Sequence, residues 1–486
     1  MVRSSTALSA LAVAVSTASA TASQSCKLIE NSVSDATAVS YPGFLNSPQF
    51  NVSTAHWFQS SSQRPTCVVE VGSVHDVSIA LQVVGAQRTR FAVMSGGHAS
   101  NQGFSSTDGV HIALNRFDQV ILSADKKTVE IGFGIVWSDV FEKLEGTGVN
   151  VVGGRVEGPA VGGFTLGGGY SWKTNQYGLT VDTVVSYTLV LPDGTITQVT
   201  AKDTPDLSFA LKGGMNRFGI VTSAVFRTHP QPPQVYGGFG IYPSTSVPAI
   251  IKATQKFHDQ GTTDTKTQII TALVGTTLGT EALVMFFHDG PNKPALFKLF
   301  DGIPAILNTN RAWKFSKYVK SIPSDLAQLT NIRGAFATFS TSTLTPRFLE
   351  AIRNETEFFS GIMDEHGGIT TNYDIEPFTN YGRFAVEGAY PHANSPLPLN
   401  LYFSWLHRTD DDFWHSQMRA SIGRLQTVAL GEGIYNTATL FQYPNYALAN
   451  ATSNELYGFE NAARLRAIRD RIDPTRIMNL AGGFGI

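Results

Sequence analysis

Long apolar runs are missing from this chain of 486 residues: nothing after its first residues approaches the roughly 20 consecutive apolar residues that a membrane-spanning helix needs. Blocks of like charge are missing too. Lys plus Arg number 36 against 38 Asp plus Glu, and neither sign clusters, so the electrostatic footprint of a DNA, RNA or anionic-membrane binder is absent. A small, neutral ligand is the better expectation. Cysteine is reduced to Cys26 and Cys67 and there is no H-E-x-x-H, which removes the usual zinc motifs. Neither G-x-G-x-x-G nor G-x-x-x-x-G-K-[ST] occurs, which argues against a Rossmann or P-loop nucleotide site. No internal repeat or low-complexity tract stands out.

What is present begins with "MVRSSTALSALAVAVSTASA". A positive start at Arg3, a short apolar stretch from Ala7 to Val15 and the small residues Ala18-Ser19-Ala20 read as a secretory signal peptide over residues 1–20, with the mature chain soluble and extracellular. Export turns an even cysteine count into an expected Cys26–Cys67 disulfide, the alternative being two buried thiols. Asn51, Asn354 and Asn450 head glycosylation triplets that fit the same compartment.

The length exceeds what one core usually organises and predicts two domains. From Cys67 to about Arg227 short β-branched runs alternate with glycine turns: "TCVVEV" reads as a strand, "SVHDVSIALQVVGAQ" as a helix and "RFAVMSG" as a second strand. "VVSYTLVLPDGTITQVT" reads as a hairpin turning at Pro192-Asp193-Gly194. The proline cluster from His229 to Pro233 is expected to hold no regular element and marks the boundary. Longer strands follow, such as "GGFGIYP", "ALVMFFHDG" and "PLNLYFSWLHR", and the end is a helix stopped by Asp473-Pro474.

Three glycine clusters offer backbone without Cβ atoms to an anion: Gly96-Gly97, Gly162-Gly163 with Gly167-Gly168-Gly169, and Gly213-Gly214. Any one could be a tight turn; three within one region point to a single extended phosphate ligand. His98 directly follows the first pair. As a metal ligand it lacks partners, and from the residues alone it is either a core histidine or a point of attachment.

"MSGGHASNQG", "GGGYSWKTNQYGLTVDTVVSYTLVLPDG", "LKGGMNRFGIVT" and "YPNYALANATSNELYGFENAARLRAIRDRIDPTRIMN", in this order, resemble the berberine-bridge-enzyme-like branch of the vanillyl-alcohol-oxidase flavoprotein superfamily. The resemblance runs from Cys67 to the C-terminus. It implies an α+β architecture: a two-part PCMH-type FAD-binding domain, residues 21–234 and 441–486, enclosing an α+β substrate domain at 235–440 whose sheet is covered by helices. It further implies that His98 carries FAD on the 8α-methyl. Where many members have a second, cysteinyl link this chain has Val156, so a single bond is expected. By the same matching Ser95, Gly96, Gly97 and Ala99 line the pyrophosphate, Gly162, Gly163 and Gly168 the ribityl side, and Gly219 and Ile220 the remaining cofactor contacts, with Asn445 and Tyr446 returning from the C-terminal segment.

The resemblance makes Tyr446 the leading catalytic base and Tyr402 a substrate contact, since the strand "NLYFSW" offers Asn400, Tyr402 and Ser404 but no carboxylate. Phenols titrate near 10, so such a base needs a neighbour that lowers its pKa. The implied activity is oxidation of an alcohol, an oligosaccharide or another extracellular one, by covalently held FAD, which oxygen or another acceptor reoxidises. A secondary-metabolite oxidase catalysing ring closure or dehydrogenation is the runner-up, and an idle flavoprotein used as a binding module the distant third. Phe378, Tyr381, Tyr402 and Trp405 suit a sugar face or an aromatic ring alike. Pro159 stands where relatives place a small aliphatic residue near the reactive flavin carbon, leaving oxidase and dehydrogenase both open.

Overall fold

The computed structural model describes residues 21–43, 48–323 and 332–486; the expected signal peptide lies outside them. Strands β1 (Ala38–Ser40), β2 (Cys67–Glu70), β3 (Phe91–Met94) and β4 (Val110–Ala113) form a sheet in the order β1-β2-β4-β3, with β2, β4 and β3 parallel. All four residues of β2 are buried, the unbroken run expected of a parallel strand covered on both faces. Helix α1 (Val74–Ala86) connects β2 to β3, and the Ser73 side chain caps it by accepting from the Asp76 amide.

Strands β5 (Val120–Leu122), β6 (Thr128–Gly132), β8 (Val184–Val190), β9 (Ile196–Thr200) and β10 (Ile220–Arg227) make an antiparallel sheet in the order β5-β6-β10-β8-β9. The β8–β9 hairpin turns at Pro192-Asp193-Gly194 as the sequence predicts, with the Leu191 amide donating to the Thr195 carbonyl. The expectation of no regular element at the proline cluster is corrected: β7 (Val149–Asn150) pairs with β11 (His229–Pro230). A two-residue edge pairing tolerates proline, because the missing N–H is not needed by a further neighbour.

A larger antiparallel sheet follows, built from β12 (Val235–Tyr242), β13 (Thr267–Thr276), β14 (Gly279–His288), β15 (Leu307–Asn308), β16 (Arg311–Trp313), β17 (Arg333–Thr341), β18 (Gly368–Ile375) and β19 (Leu397–Trp405). Its order is β15-β12-β14-β13-β18-β19-β17, with β16 also on β12. Side chains alternate between two faces. Ile269 and Leu273 of β13 and Ala282, Val284 and Phe286 of β14 join a core with Ile250, Phe257, Phe348, Ile352 and Phe359, residues of helices α2 (Val247–Gln260) and α3 (Pro346–Ile362). The alternate residues face inward, toward the glycine-rich part. Helix α4 (Asp411–Gly431) packs on β17 and β19.

The last helix, α5 (Ser453–Ile472), starts at a capping box between Thr452 and Glu455. Its Leu456, Ala462, Leu465 and Ile468, with Met478, Ala481 and Phe484 beyond it, belong to the same core as β2, α1 and β6. Arg217 fastens this return by donating to the carbonyls of Met478, Ala481, Gly483 and Phe484. Among the described residues no helix is long and apolar enough to cross a membrane.

Candidate active site

A cavity of about 740 Å³ runs from the glycine loops to the inward face of the larger sheet. Ser95, Gly96, Gly97, His98, Ala99, Gly162, Gly163, Gly219, Ile220, Tyr402, Asn445 and Tyr446 all line it, as do Val156 and Pro159. The two loops touch: a Cβ on Gly96 would lie 2.6 Å from that of Ala160. Gly97, at φ +66°, would bring one within 2.5 Å of the Ala55 carbonyl oxygen, so both positions admit glycine alone. Ser95 uses its hydroxyl to clasp the loops together, donating to the Phe133 carbonyl and accepting from the Gly162 amide. Asn445 joins the C-terminal segment to them by donating to the Phe164 carbonyl at 3.0 Å.

Three expectations are corrected. Gly168 does not line the cavity: at φ +125° it packs beneath Tyr443, whose ring a Cβ would approach to 3.1 Å. Gly213-Gly214 form a turn against Tyr390 and the Ala210 carbonyl, and only the following Met215 and Asn216 reach the cavity. Phe378, Tyr381 and Trp405 are buried core residues outside it. The Tyr381 hydroxyl donates to the Pro396 carbonyl and the Trp405 indole to Asp411, so neither ring is available to stack on a substrate. Trp57, Phe336, Tyr402 and Tyr446 are among the aromatic residues that do line it.

The His98 ring stacks on Trp57, with centroids 4.4 Å apart, and lies parallel to Phe336 at 6.3 Å. Burial depresses its pKa to about 4, so the imidazole is neutral and nucleophilic at ordinary pH. Its Nε2 is buried without a hydrogen-bond partner. A neutral, orphaned imidazole at the rim of a glycine cradle fits a covalently held flavin better than a satisfied core histidine, which would have found an acceptor.

Opposite His98 lies a charged network that the sequence reading missed. Arg155 donates to both oxygens of Glu376, at 2.7 and 2.9 Å, and to the Tyr446 hydroxyl at 2.5 Å. Tyr446 in turn donates to Glu376 at 3.2 Å. The Trp172 indole holds the Arg155 carbonyl at 2.9 Å. Arg155 is the neighbour that favours ionisation of Tyr446, yet burial outweighs it and the phenol stays well above 10. On β18, Asp374 lines the cavity and accepts from Asn400 Nδ2 at 2.9 Å. Burial and the adjacent Glu376 charge push its pKa up to about 7. The signal was in "TNYDIEP": Asn372, Asp374 and Glu376 alternate, and so share one side of an extended chain. Among the described residues no group of acidic, histidine or cysteine side chains is arranged to hold a metal ion.

The glycine cradle, the cavity-lining histidine and the two-part core fit an FAD-binding protein of the PCMH-type fold. Comparison with known proteins agrees. Residues 65–200 match the FAD binding domain family. An uncharacterised FAD-linked oxidoreductase of Arthroderma benhamiae is 33% identical over 61% of this chain and 59% of its own length. The bifunctional solanapyrone synthase of Alternaria solani is 29% identical over 94% of this chain and 88% of its own. In the first of these the match spans under two thirds of the relative. Among solved structures, the xylooligosaccharide oxidase of Myceliophthora thermophila superposes with a TM-score of 0.75 at 20% identity, covering 95% of this chain and 99% of that one. The glucooligosaccharide oxidase of Acremonium strictum, with its 6-S-cysteinyl, 8α-N1-histidyl FAD, gives 0.72 at 18% over 90% and 95%. At such identities the structural likeness speaks for the fold. The chain therefore carries an FAD binding domain at residues 65–200 and shares the fold of the oligosaccharide oxidases with which it superposes.

Proposed function

We propose that this protein is an exported flavoenzyme that oxidises the CH–OH group of a small molecule, with FAD attached through His98 alone. FAD held there would supply a hydride acceptor that oxygen or another acceptor could reoxidise. Asn400, Tyr402 and Asp374 present polar atoms to the hydroxyl being oxidised. Tyr446, fixed by Arg155, orients that hydroxyl, and Asp374 takes its proton. The observation that carries this assignment is the elevated pKa of Asp374, which places a cavity-lining carboxylate near working pH where a general base is most effective. Tyr446, expected from the sequence as base, is better suited to positioning, because burial outweighs Arg155 and a phenol held well above 10 is protonated.

Val156, a side chain unable to form a thioether, lines the cavity and supports the single link. The Cys26–Cys67 disulfide supports export. Of the glycosylation triplets, Asn450 stands exposed in a loop, whereas Asn354 sits within α3 with its Thr356 fully buried; a glycan belongs on the former. Oxidative cyclisation or dehydrogenation is the second reading, favoured by the likeness to solanapyrone synthase along nearly the whole chain.

The test is the mass and absorbance of the acid-denatured protein. Wild type is expected to retain one FAD and His98→Ala to release it; a denatured wild type without flavin mass would remove the attachment.

A further inference from the structure

The inward face of the larger sheet changes character between two neighbouring strands. Register aligns Asn400 of β19 with Asp374 of β18, Asp374 with Ala272 of β13, and Ala272 with Leu283 of β14. One row to one side, Tyr402 faces Asn372, Asn372 faces Val274 and Val274 faces Glu281; one row to the other side, Ile270 of β13 pairs with Met285 of β14. All of these except Glu281 line the cavity. On β18 and β19 the rows carry polar atoms, ending at Phe336 of β17; on β13 and β14 every cavity-lining side chain is aliphatic or thioether. The boundary is one strand spacing wide, about 4.8 Å. The segment 320–323 lines the same cavity, Lys320 and Ser321 with polar atoms and Ile322 and Pro323 with apolar surface.

This floor is not core surface exposed by accident. Val274, Leu283 and Met285 are only partly buried, although their strands occupy the middle of the sheet and their neighbours Leu273, Ala282 and Val284 are fully packed on the other side. Apolar side chains kept open toward an enclosed cavity mark a surface that a ligand covers.

We propose that the substrate is an amphiphile: one hydroxyl-bearing carbon at the β18–β19 end and an apolar body, alkyl or fused-ring, lying over Val274, Ala272, Leu283 and Met285. This rests on the oxidoreductase reading above and names its substrate class. An oligosaccharide is disfavoured at this floor because a sugar carries hydroxyls around its ring, and those lying over Ala272, Val274, Leu283 and Met285 meet apolar side chains. The polar end alone spans little more than one oxidisable group.

The experiment uses the flavin-loaded protein carrying Asp374→Asn, so that binding is read without turnover. Calorimetric titration with the primary alcohols from 1-butanol to 1-octanol is expected to show the Kd falling about fourfold per added methylene, with xylobiose giving no heat. Leu283→Asn and Met285→Gln are expected to flatten that slope and to weaken 1-octanol about tenfold while flavin content stays unchanged. Val274→Thr, nearly isosteric, repeats the test if either fails to fold. Tight xylobiose binding with a flat alkyl series would overturn the proposal. Anaerobic bleaching of the wild-type flavin separates the two readings: alcohols that bind with the expected slope and never bleach it uphold the apolar floor and remove the oxidase assignment.

Discussion

Asp374, Glu376 and Tyr446 show how environment divides work among chemically similar groups. Glu376 is committed to both arms of Arg155, and that ion pair anchors the network. Asp374 has no cation of its own, so burial and the neighbouring anion raise its pKa to about 7. Activity is therefore expected to rise with pH through about 7 as the carboxylate loses its proton, then level off. Asp374→Asn should lower kcat roughly 10²- to 10⁴-fold and abolish that rising limb; a profile unchanged in shape would assign the proton to another group. The same shift has a sign for stability. A carboxyl whose folded pKa is raised destabilises the native state progressively from about pH 4 to pH 7 and fully above it. Asn at 374 is thus expected to raise the melting temperature most at alkaline pH, the usual exchange of stability for function.

At the scale of elements, the informative unit is the loop 376–396 that leaves β18. His392 anchors it: Nδ1 faces the Tyr390 carbonyl at 2.9 Å and Nε2 both oxygens of Asp182 at 3.0 Å. Both partners are acceptors, so both ring nitrogens carry protons and the imidazole is a cation. Burial works against that charge, but the hydrogen bond and charge of Asp182 prevail and the pKa is raised. A raised histidine contributes stability that is complete below its unfolded pKa, about 6.5, and lost as pH climbs through the folded value. Thermal melts of wild type should show a decline across that interval which His392→Gln lacks. Much of this level was legible beforehand. The strand-helix-strand start, the β8–β9 hairpin and the final helix followed from period, turn residues and caps, which act within a few residues. The pairing of β7 with β11 was not, because two residues carry no period. The alternation of Asp374 and Glu376 is by itself no mark of a site, and only register sets Asp374 directly beside Asn400.

Across the whole molecule, the glycine-rich part and the larger sheet are joined by buried charge as well as by apolar packing. Lys173 meets Asp289 at 3.0 Å, both fully enclosed, beside the stack of Trp172 on Phe287. Removing one partner leaves the other unpaired, so Lys173→Met should cost about 3–5 kcal/mol. Lys173→Met combined with Asp289→Leu should recover most of it, as denaturant unfolding would show. The loss of Gly168, Gly213 and Gly214 from the cofactor surface belongs to this scale too: a glycine that lets backbone approach an anion and one that lets backbone approach a tyrosine ring look alike in one dimension. Order of motifs, glycine placement and the histidine after Gly97 were enough to indicate an FAD-linked fold, since each is a short-range requirement written in neighbouring residues. The site itself was not readable that way. Arg155 lies 221 residues from Glu376 and 291 from Tyr446, and the polar-to-apolar step beneath the cavity exists only where β13 is aligned with β18. Proximity across such separations is created by strand register and by two cores packing against each other, and no local propensity encodes it.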